Sequence, residues 1–297
     1  MSGFSFEKEL AALNSDAQGK ASVDQRPFVK MHGLGNDFVI FDARMDDFEL
    51  DALLVKALGN RRTGIGFDQC VVLRASQQAD VFMEIWNSDG SRVGACGNAS
   101  RCVGYGIMGE TGSDTCTIQT DAGILAAASK GDQVLVDMGP VETGWAHIPL
   151  FQAANTKSVD LGIKGVPPGV CVNVGNPHIV FFFDQVMTVP VAELGPEIER
   201  HWMFPEKVNV SFVEMRPDHL RVRVWERGVG ITRACGTAAC ASLVAGSLRE
   251  LCGRSAKVAL DGGVLSIKWL DNSHVLMTGS VAHAFTGVAP LTVDEGL

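Results

Sequence analysis

Two cysteines of this chain stand in nearly the same surroundings. Ala95-Cys96-Gly97-Asn98-Ala99 is echoed 139 residues later by Ala234-Cys235-Gly236-Thr237-Ala238. A run of small and apolar residues with helical character follows each, to about Met108 and about Leu251. The first turn of a helix presents N–H groups that no upstream carbonyl takes up, together with the positive end of the dipole. A cysteine at that point can ionise well below ~8.5, and the N–H groups after it can hold a carboxylate. Two such sites facing one another would put two thiols on opposite sides of one bound carboxylate. The carbon beside it is then set up for inversion, one sulfur removing the α-proton and the other delivering a proton to the opposite face. Either cysteine alone reads most simply as a small core residue. The matched pair favours chemistry.

Other uses of these residues fit less well. A structural zinc held by Cys96, Cys102, Cys235 and Cys240 would need ligands with five and four residues between them, at or beyond the usual spacing. A dithiol redox site would need Cys-x-x-Cys, which is missing. Gly33-Leu34-Gly35 and Gly228-Val229-Gly230 each begin a dinucleotide fingerprint, but Phe38 and Arg233 stand where its third glycine belongs. There is no phosphate-loop motif and no positive sign of a pyridoxal site. Neither metal nor cofactor is expected.

The elements that must position the cysteines repeat along the chain. With a shift of 139 or 140, Gly35-Asn36 falls on Gly175-Asn176, Gln69 on Asn209, and Asp121-Ala122-Gly123-Ile124-Leu125 on Asp261-Gly262-Gly263-Val264-Leu265. Strand-like runs are read at Phe28–Met31, Phe38–Asp42, Gln69–Arg74, Val81–Trp86, Cys116–Thr120, Ile124–Ala128 and Val134–Met138. The second half repeats them at Val170–Val174, Ile179–Phe183, Val208–Glu214, Leu220–Trp225, Lys257–Leu260, Val264–Leu270 and His274–Met277. Further helices are expected at Leu50–Leu58 and Val191–His201. The cysteine helices lack a polar face, and a helix apolar all round is buried on all sides. A strand-rich half with one such helix suggests a sheet curled around it. Residues 1–25 lie outside the repeat; Phe6, Leu10 and Leu13 have helical spacing there, which leaves a short docked helix or a frayed tail.

Composition narrows the setting. In 297 residues, 46% are hydrophobic and 20% charged, which supports a substantial core and excludes global disorder. Lys plus Arg number 25 against 34 Asp plus Glu, a net charge of −9 with no basic patch, so neither nucleic acid nor an anionic membrane is an expected partner. The longest small and apolar stretch, Thr237 to Leu248, is too short to span a bilayer. The amino-terminal stretch lacks the apolar core of an export signal. Eight cysteines are far too few for a disulfide scaffold. Reduced thiols and a cytoplasmic location are expected.

The motifs resemble the diaminopimelate epimerase family over about Phe28 to Pro290. They are Met31-His32-Gly33-Leu34-Gly35-Asn36-Asp37-Phe38, Gly64-Ile65-Gly66-Phe67-Asp68-Gln69, Asn87-Ser88-Asp89-Gly90-Ser91 and Cys96-Gly97-Asn98 with Arg101-Cys102. Gly175-Asn176-Pro177-His178, Val208-Asn209 and Glu226-Arg227-Gly228 through Ala234-Cys235-Gly236-Thr237 follow in order. Ala99 stands where the family usually has glycine, and Arg92 where an acid is common.

The resemblance implies an α/β (α+β) fold of two pseudo-symmetric domains. Each is a mostly antiparallel β-barrel around a central helix, with the active site in the interdomain cleft. The domains would be 26–141 and 142–280, after an extension at 1–25, with a closing strand near 281–292 returning to the first. The resemblance also implies a cofactor-independent isomerase that interconverts LL- and meso-diaminopimelate in lysine and peptidoglycan precursor synthesis, and a homodimer is plausible. A related racemase of another amino acid is the alternative. Cys96 and Cys235 would be the two bases, with His178 and Glu226 tuning their protons. Gly97, Asn98, Gly236 and Thr237 would receive the reacting carboxylate. Asn36, Gln69, Asn87, Asn176, Asn209, Glu226 and Arg227 would line the rest of the pocket. Asn87 lies nine residues before Cys96, whereas Glu226-Arg227 fills the matching place before Cys235. That asymmetry suggests a pocket with one reactive end and one recognition end, where Arg227 grips the distal carboxylate.

Overall fold

The computed structural model describes residues 3–16, 25–46 and 48–291. Residues 1–2 and 17–24 of the expected extension, and position 292 of the expected closing strand, lie outside them. In chain order the elements of the first half are α1 (Phe6–Asp16), β1 (Gln25–Gly33), β2 (Asn36–Asp42), α2 (Ala52–Gly59), β3 (Gln69–Arg74) and β4 (Val81–Asn87). They continue with β5 (Arg92–Val93), α3 (Gly97–Thr111), β6 (Thr115–Thr120), β7 (Gly123–Lys130) and β8 (Gln133–Pro140). The second half holds β9 (Val170–Asn173), β10 (Pro177–Phe182), α4 (Val191–Glu199), β11 (Asn209–Met215), β12 (His219–Glu226) and β13 (Gly230–Ile231). Then come α5 (Gly236–Leu248), β14 (Ser255–Leu260), β15 (Gly263–Trp269), β16 (His274–Ser280) and β17 (Ala282–Pro290). The fold is mixed α/β, and no helix among the described residues is long and apolar enough to cross a membrane.

Two compact units divide the chain, one of residues 1–136 with 280–297 and one of residues 137–279. Within the first, the strands run in the order β17-β1-β2-β3-β4-β6-β7, with β2–β3 and β4–β6 parallel and the other neighbours antiparallel. Within the second, β9-β10-β11-β12-β14-β15-β16 follow the same alternation, β10–β11 and β12–β14 being the parallel pairs. The registers repeat as well. Phe38 is opposite Gln69 and His178 opposite Asn209; Val81 is opposite Ile118 and Leu220 opposite Val258. A repeat held residue by residue through parallel pairings, which no hairpin turn fixes, marks a duplication of the whole unit.

Each sheet wraps one helix. α5 packs against β9, β10, β11, β12, β14 and β15 of its unit, and α3 against β1, β4, β6 and β7 of its own. The absence of a polar face follows from this: Ala238, Ala239, Cys240, Ala241, Leu243, Val244 and Ala245 of α5 are all fully buried. The other sheet face of the second unit carries α4. Its Val191 and Ile198 meet Ile179, Phe181, Val210 and Phe212, the alternate side chains of β10 and β11.

The amino-terminal segment resolves as the docked helix rather than a frayed tail. Phe6 of α1 is fully buried, and its ring fills the space that a side chain at Gly106 of α3 would occupy. Arg92 ion-pairs with Glu84 and Asp121 on a half-exposed surface.

Candidate active site

Cys96 and Cys235 are the cap residues of α3 and α5, with extended backbones at φ −148° and −124°. Neither cap is Ser, Thr, Asp or Asn, the types that usually occupy first-turn N–H groups. The backbone at Gly97-Asn98 and at Gly236-Thr237 can therefore serve an anion.

In the first unit, amide side chains form a directed chain around the helix start. Asn98 Nδ2 donates to Asn36 Oδ1 at 3.0 Å, and Asn36 Nδ2 donates to Asp68 Oδ2 at 2.9 Å. Asp68 is held in turn by Arg61 at 2.7 Å, and Arg61 also pairs with Asp37 at 2.6 Å. Lys30 reaches the other oxygen of Asp37 at 2.8 Å. Burial alone would push Asp37 up, but Arg61 and Lys30 outweigh it and hold its carboxyl at about 2. Gln69 Nε2 donates to Asn87 Oδ1 at 3.1 Å across the β3–β4 pair. Its own Oε1 is buried with no hydrogen-bond partner among the described residues.

In the second unit, Asn209 Nδ2 donates to the carbonyl of Pro177 at 3.0 Å, and its Oδ1 receives the backbone N–H of Arg227 at 2.9 Å. The Arg227 guanidinium is exposed and spends Nη1 on the carbonyl of Glu206. Thr232 Oγ1 donates to Glu226, and the Thr237 hydroxyl lies 3.4 Å from the Cys235 sulfur.

The thiol electrostatics correct one expectation. A helix start should lower a thiol's pKa, yet Cys235 is pushed well above the ordinary thiol range. Burial is the main cause and the Glu226 charge the second; a hydrogen bond to that carboxylate adds to them. Thr237 and the backbone N–H of Ala238 act the other way and are outweighed. Cys235 therefore stands as a protonated thiol in the substrate-free protein.

His178 is fully buried, and burial followed by the charge of Arg227 lowers its pKa to about 3. Its Nε2 lies 2.8 Å from Asn176 Oδ1, an atom that only accepts, so Nε2 carries the proton. Nδ1 faces the interior with no partner among the described residues. A histidine in the unfolded chain protonates near ~6.5. Between the two values the unfolded state binds more protons, so stability is lost as pH falls. From this group we expect a loss of up to ~1.4 kcal/mol per pH unit in that window. Urea titrations of the wild type and His178→Gln between about pH 7 and 5 check this; the variant should show the flatter profile.

The structure thus joins Asn36 to Asn98, Gln69 to Asn87, Asn176 to His178, Asn209 to Arg227, and Glu226 to Cys235, each within its own unit. It adds Asp68 and Arg61, which the sequence reading left without a role. The signal for them was available: Asp37 and Asp68 fall on Pro177 and Val208 in the second half, a break in the repeat.

Comparison with known proteins places the chain in a family. The family model for diaminopimelate epimerase matches residues 28–144 and 170–284. The diaminopimelate epimerase of Rhodospirillum centenum is 49% identical over 275 residues, covering 91% of this chain and 94% of that protein. That of Phenylobacterium zucineum is 48% identical, covering 89% and 98%. The chain belongs to the diaminopimelate epimerase family. As a member of that family it is an isomerase. Solved structures at low identity share its fold. A hydroxyproline epimerase from Agrobacterium vitis aligns with a TM-score of 0.67 at 14% identity over 92% of this chain and 95% of that one. A PhzF-family protein from Bacillus anthracis aligns at 0.65 and 15%, over 90% and 99%.

Proposed function

We propose that this member of the diaminopimelate epimerase family interconverts LL- and meso-diaminopimelate by passing an α-proton through two thiols, Cys96 and Cys235. The observation that carries the reading is the pair itself: two cysteines at equivalent helix starts in two units with the same strand order and registers. The reacting carboxylate is received by the backbone at Gly97-Asn98 and Gly236-Thr237. One sulfur, as thiolate, takes the α-proton: the C–H bond breaks, an S–H bond forms, and the electron pair stays on carbon. The other sulfur, as thiol, gives its proton to that carbon from the opposite face and becomes the thiolate. Chirality inverts, and the pair ends with its protonation states exchanged, titrating as one coupled unit.

The environment of Cys235 supports a starting state. Burial and Glu226 favour its protonated form, the state the donor needs in the direction in which Cys96 is the base. Asn36, Gln69, Asn87, Asn176 and Asn209 hold the amino-acid groups, while Arg227 and Glu226 recognise the distal end. The reduced thiols that this chemistry requires fit a cytoplasmic location, and with it we propose a homodimer serving lysine and peptidoglycan precursor synthesis. A chirality assay on LL-diaminopimelate in metal- and pyridoxal-free buffer tests the reading. Formation of the meso isomer is expected. Unchanged diaminopimelate beside racemisation of another amino acid would overturn it.

A further inference from the structure

Glu199 is an unusual carboxylate. It ends α4, where the helix dipole is negative, and only 6% of it is exposed. Among the described residues no lysine or arginine pairs with it. Both of its oxygens nevertheless serve neutral donors: Oε2 receives the indole N–H of Trp225 at 2.7 Å, and Oε1 the backbone N–H of Gly228 at 2.9 Å. Burying an uncompensated carboxylate in an unfavourable dipole costs stability, so what it holds matters.

Gly228 belongs to the turn Glu226–Val229, which presents both charged residues of the recognition end. Its φ of 77° is in the left-handed region. The Val229 N–H closes the turn on the Glu226 carbonyl at 3.1 Å, and Asn209 takes the Arg227 N–H. Every backbone donor from Arg227 to Val229 is thus held, and the hold on Gly228 is the one that comes from α4. The described residues of the first half have no such device. Its Trp86, equivalent to Trp225, bonds to Glu84 of the same strand, and Asn60 beyond α2 bonds to the local N–H groups of Arg62 and Thr63. Among the described residues, the remote carboxylate occurs only in the half that carries Glu226-Arg227.

We propose that Glu199 is a positioning residue for substrate recognition: it fixes, through Gly228, the turn that aims Arg227 and Glu226. This inference rests on the recognition role given to those two residues above. Glutamine keeps one accepting oxygen but turns an NH₂ toward a donor, so Glu199→Gln leaves either Trp225 or Gly228 facing it donor to donor. In Glu199→Gln, kcat/KM on diaminopimelate should fall about 10- to 100-fold, mostly through KM. Hydrogen exchange at residues 227–229 should quicken by at least about 10-fold. Trp225→Phe removes the competing donor and should stay within about 3-fold of wild type. In Glu199→Gln/Trp225→Phe the glutamine oxygen is free to serve Gly228, and kcat/KM should return to the level of Trp225→Phe. A merely structural Glu199 gives the reverse, with the two losses adding. Exchange unchanged in Glu199→Gln, or a double variant no better than Glu199→Gln, would overturn the proposal. The exchange measurement needs no substrate, so it decides on the clamp even if the wild type fails to turn over diaminopimelate, a result that would strike the proposed function instead.

Discussion

Replacing Cys96 or Cys235 by serine is expected to lower the epimerisation of diaminopimelate by at least ~10³-fold in each case, because an alcohol is a far weaker acid than a thiol and is almost never ionised at neutral pH. Both changes should cost the same order of activity, since each sulfur must act once in every turnover. Serine conserves the shape of the cap, and the strand registers around each helix start do not depend on the sulfur. The variants should therefore fold normally, which circular dichroism and unfolding midpoints can establish. Steady-state rates in both directions, from LL and from meso substrate, check the prediction. A variant retaining a tenth of the activity would remove its cysteine from the chemistry.

The second large effect concerns the distal end of the substrate. Arg227 uses one N–H on the Glu206 carbonyl and Asn209 fixes its backbone, which leaves most of its guanidinium donors for a ligand. A guanidinium can take a carboxylate with two parallel bonds. Losing such a contact to a desolvated group costs about 2–4 kcal/mol, roughly 30- to 1000-fold in kcat/KM. Arg227→Met should lose activity on this scale while both thiols remain titratable. Removing its charge should also raise the pKa of His178, which that charge now helps to depress. The wild type should discriminate strongly against lysine, which lacks the second carboxylate. Comparable turnover of lysine and diaminopimelate, or an unimpaired Arg227→Met, would assign the distal end to other residues.

Much of this arrangement could be read along the chain. The continuous apolar run Cys70–Leu73 between polar Gln69 and Arg74 places β3 without adjustment, and the all-round apolar run after Cys235 marks a helix enclosed by its sheet. That helix stops at Leu248, short of the expected Leu251, because Glu250 turns into the left-handed region at φ 58°. β5 and β13, two residues each, are too short to show any period. What the sequence could not show is three-dimensional in origin. The helix-start argument lowers a thiol's pKa, whereas enclosure by the sheet and a carboxylate nine residues upstream reverse it at Cys235. The amide chain from Asn98 through Asn36 to Asp68 depends on side chains that only folding brings together. Glu199 gave no signal, since its partners Trp225 and Gly228 lie 26 and 29 residues further on.

The two-thiol exchange itself is tested most directly by isotope incorporation during the first turnovers in D₂O. Both thiols equilibrate with solvent before substrate binds, so the donor carries a deuteron while the base removes a protium from the α-carbon. Starting from LL- or from meso-diaminopimelate, mass spectrometry of the separated isomers should find one deuterium in the newly formed isomer and little in the remaining substrate. A single base exchanging its proton with solvent and returning it to either face would label both. Substantial early deuterium in the remaining substrate, in both directions, would contradict the account.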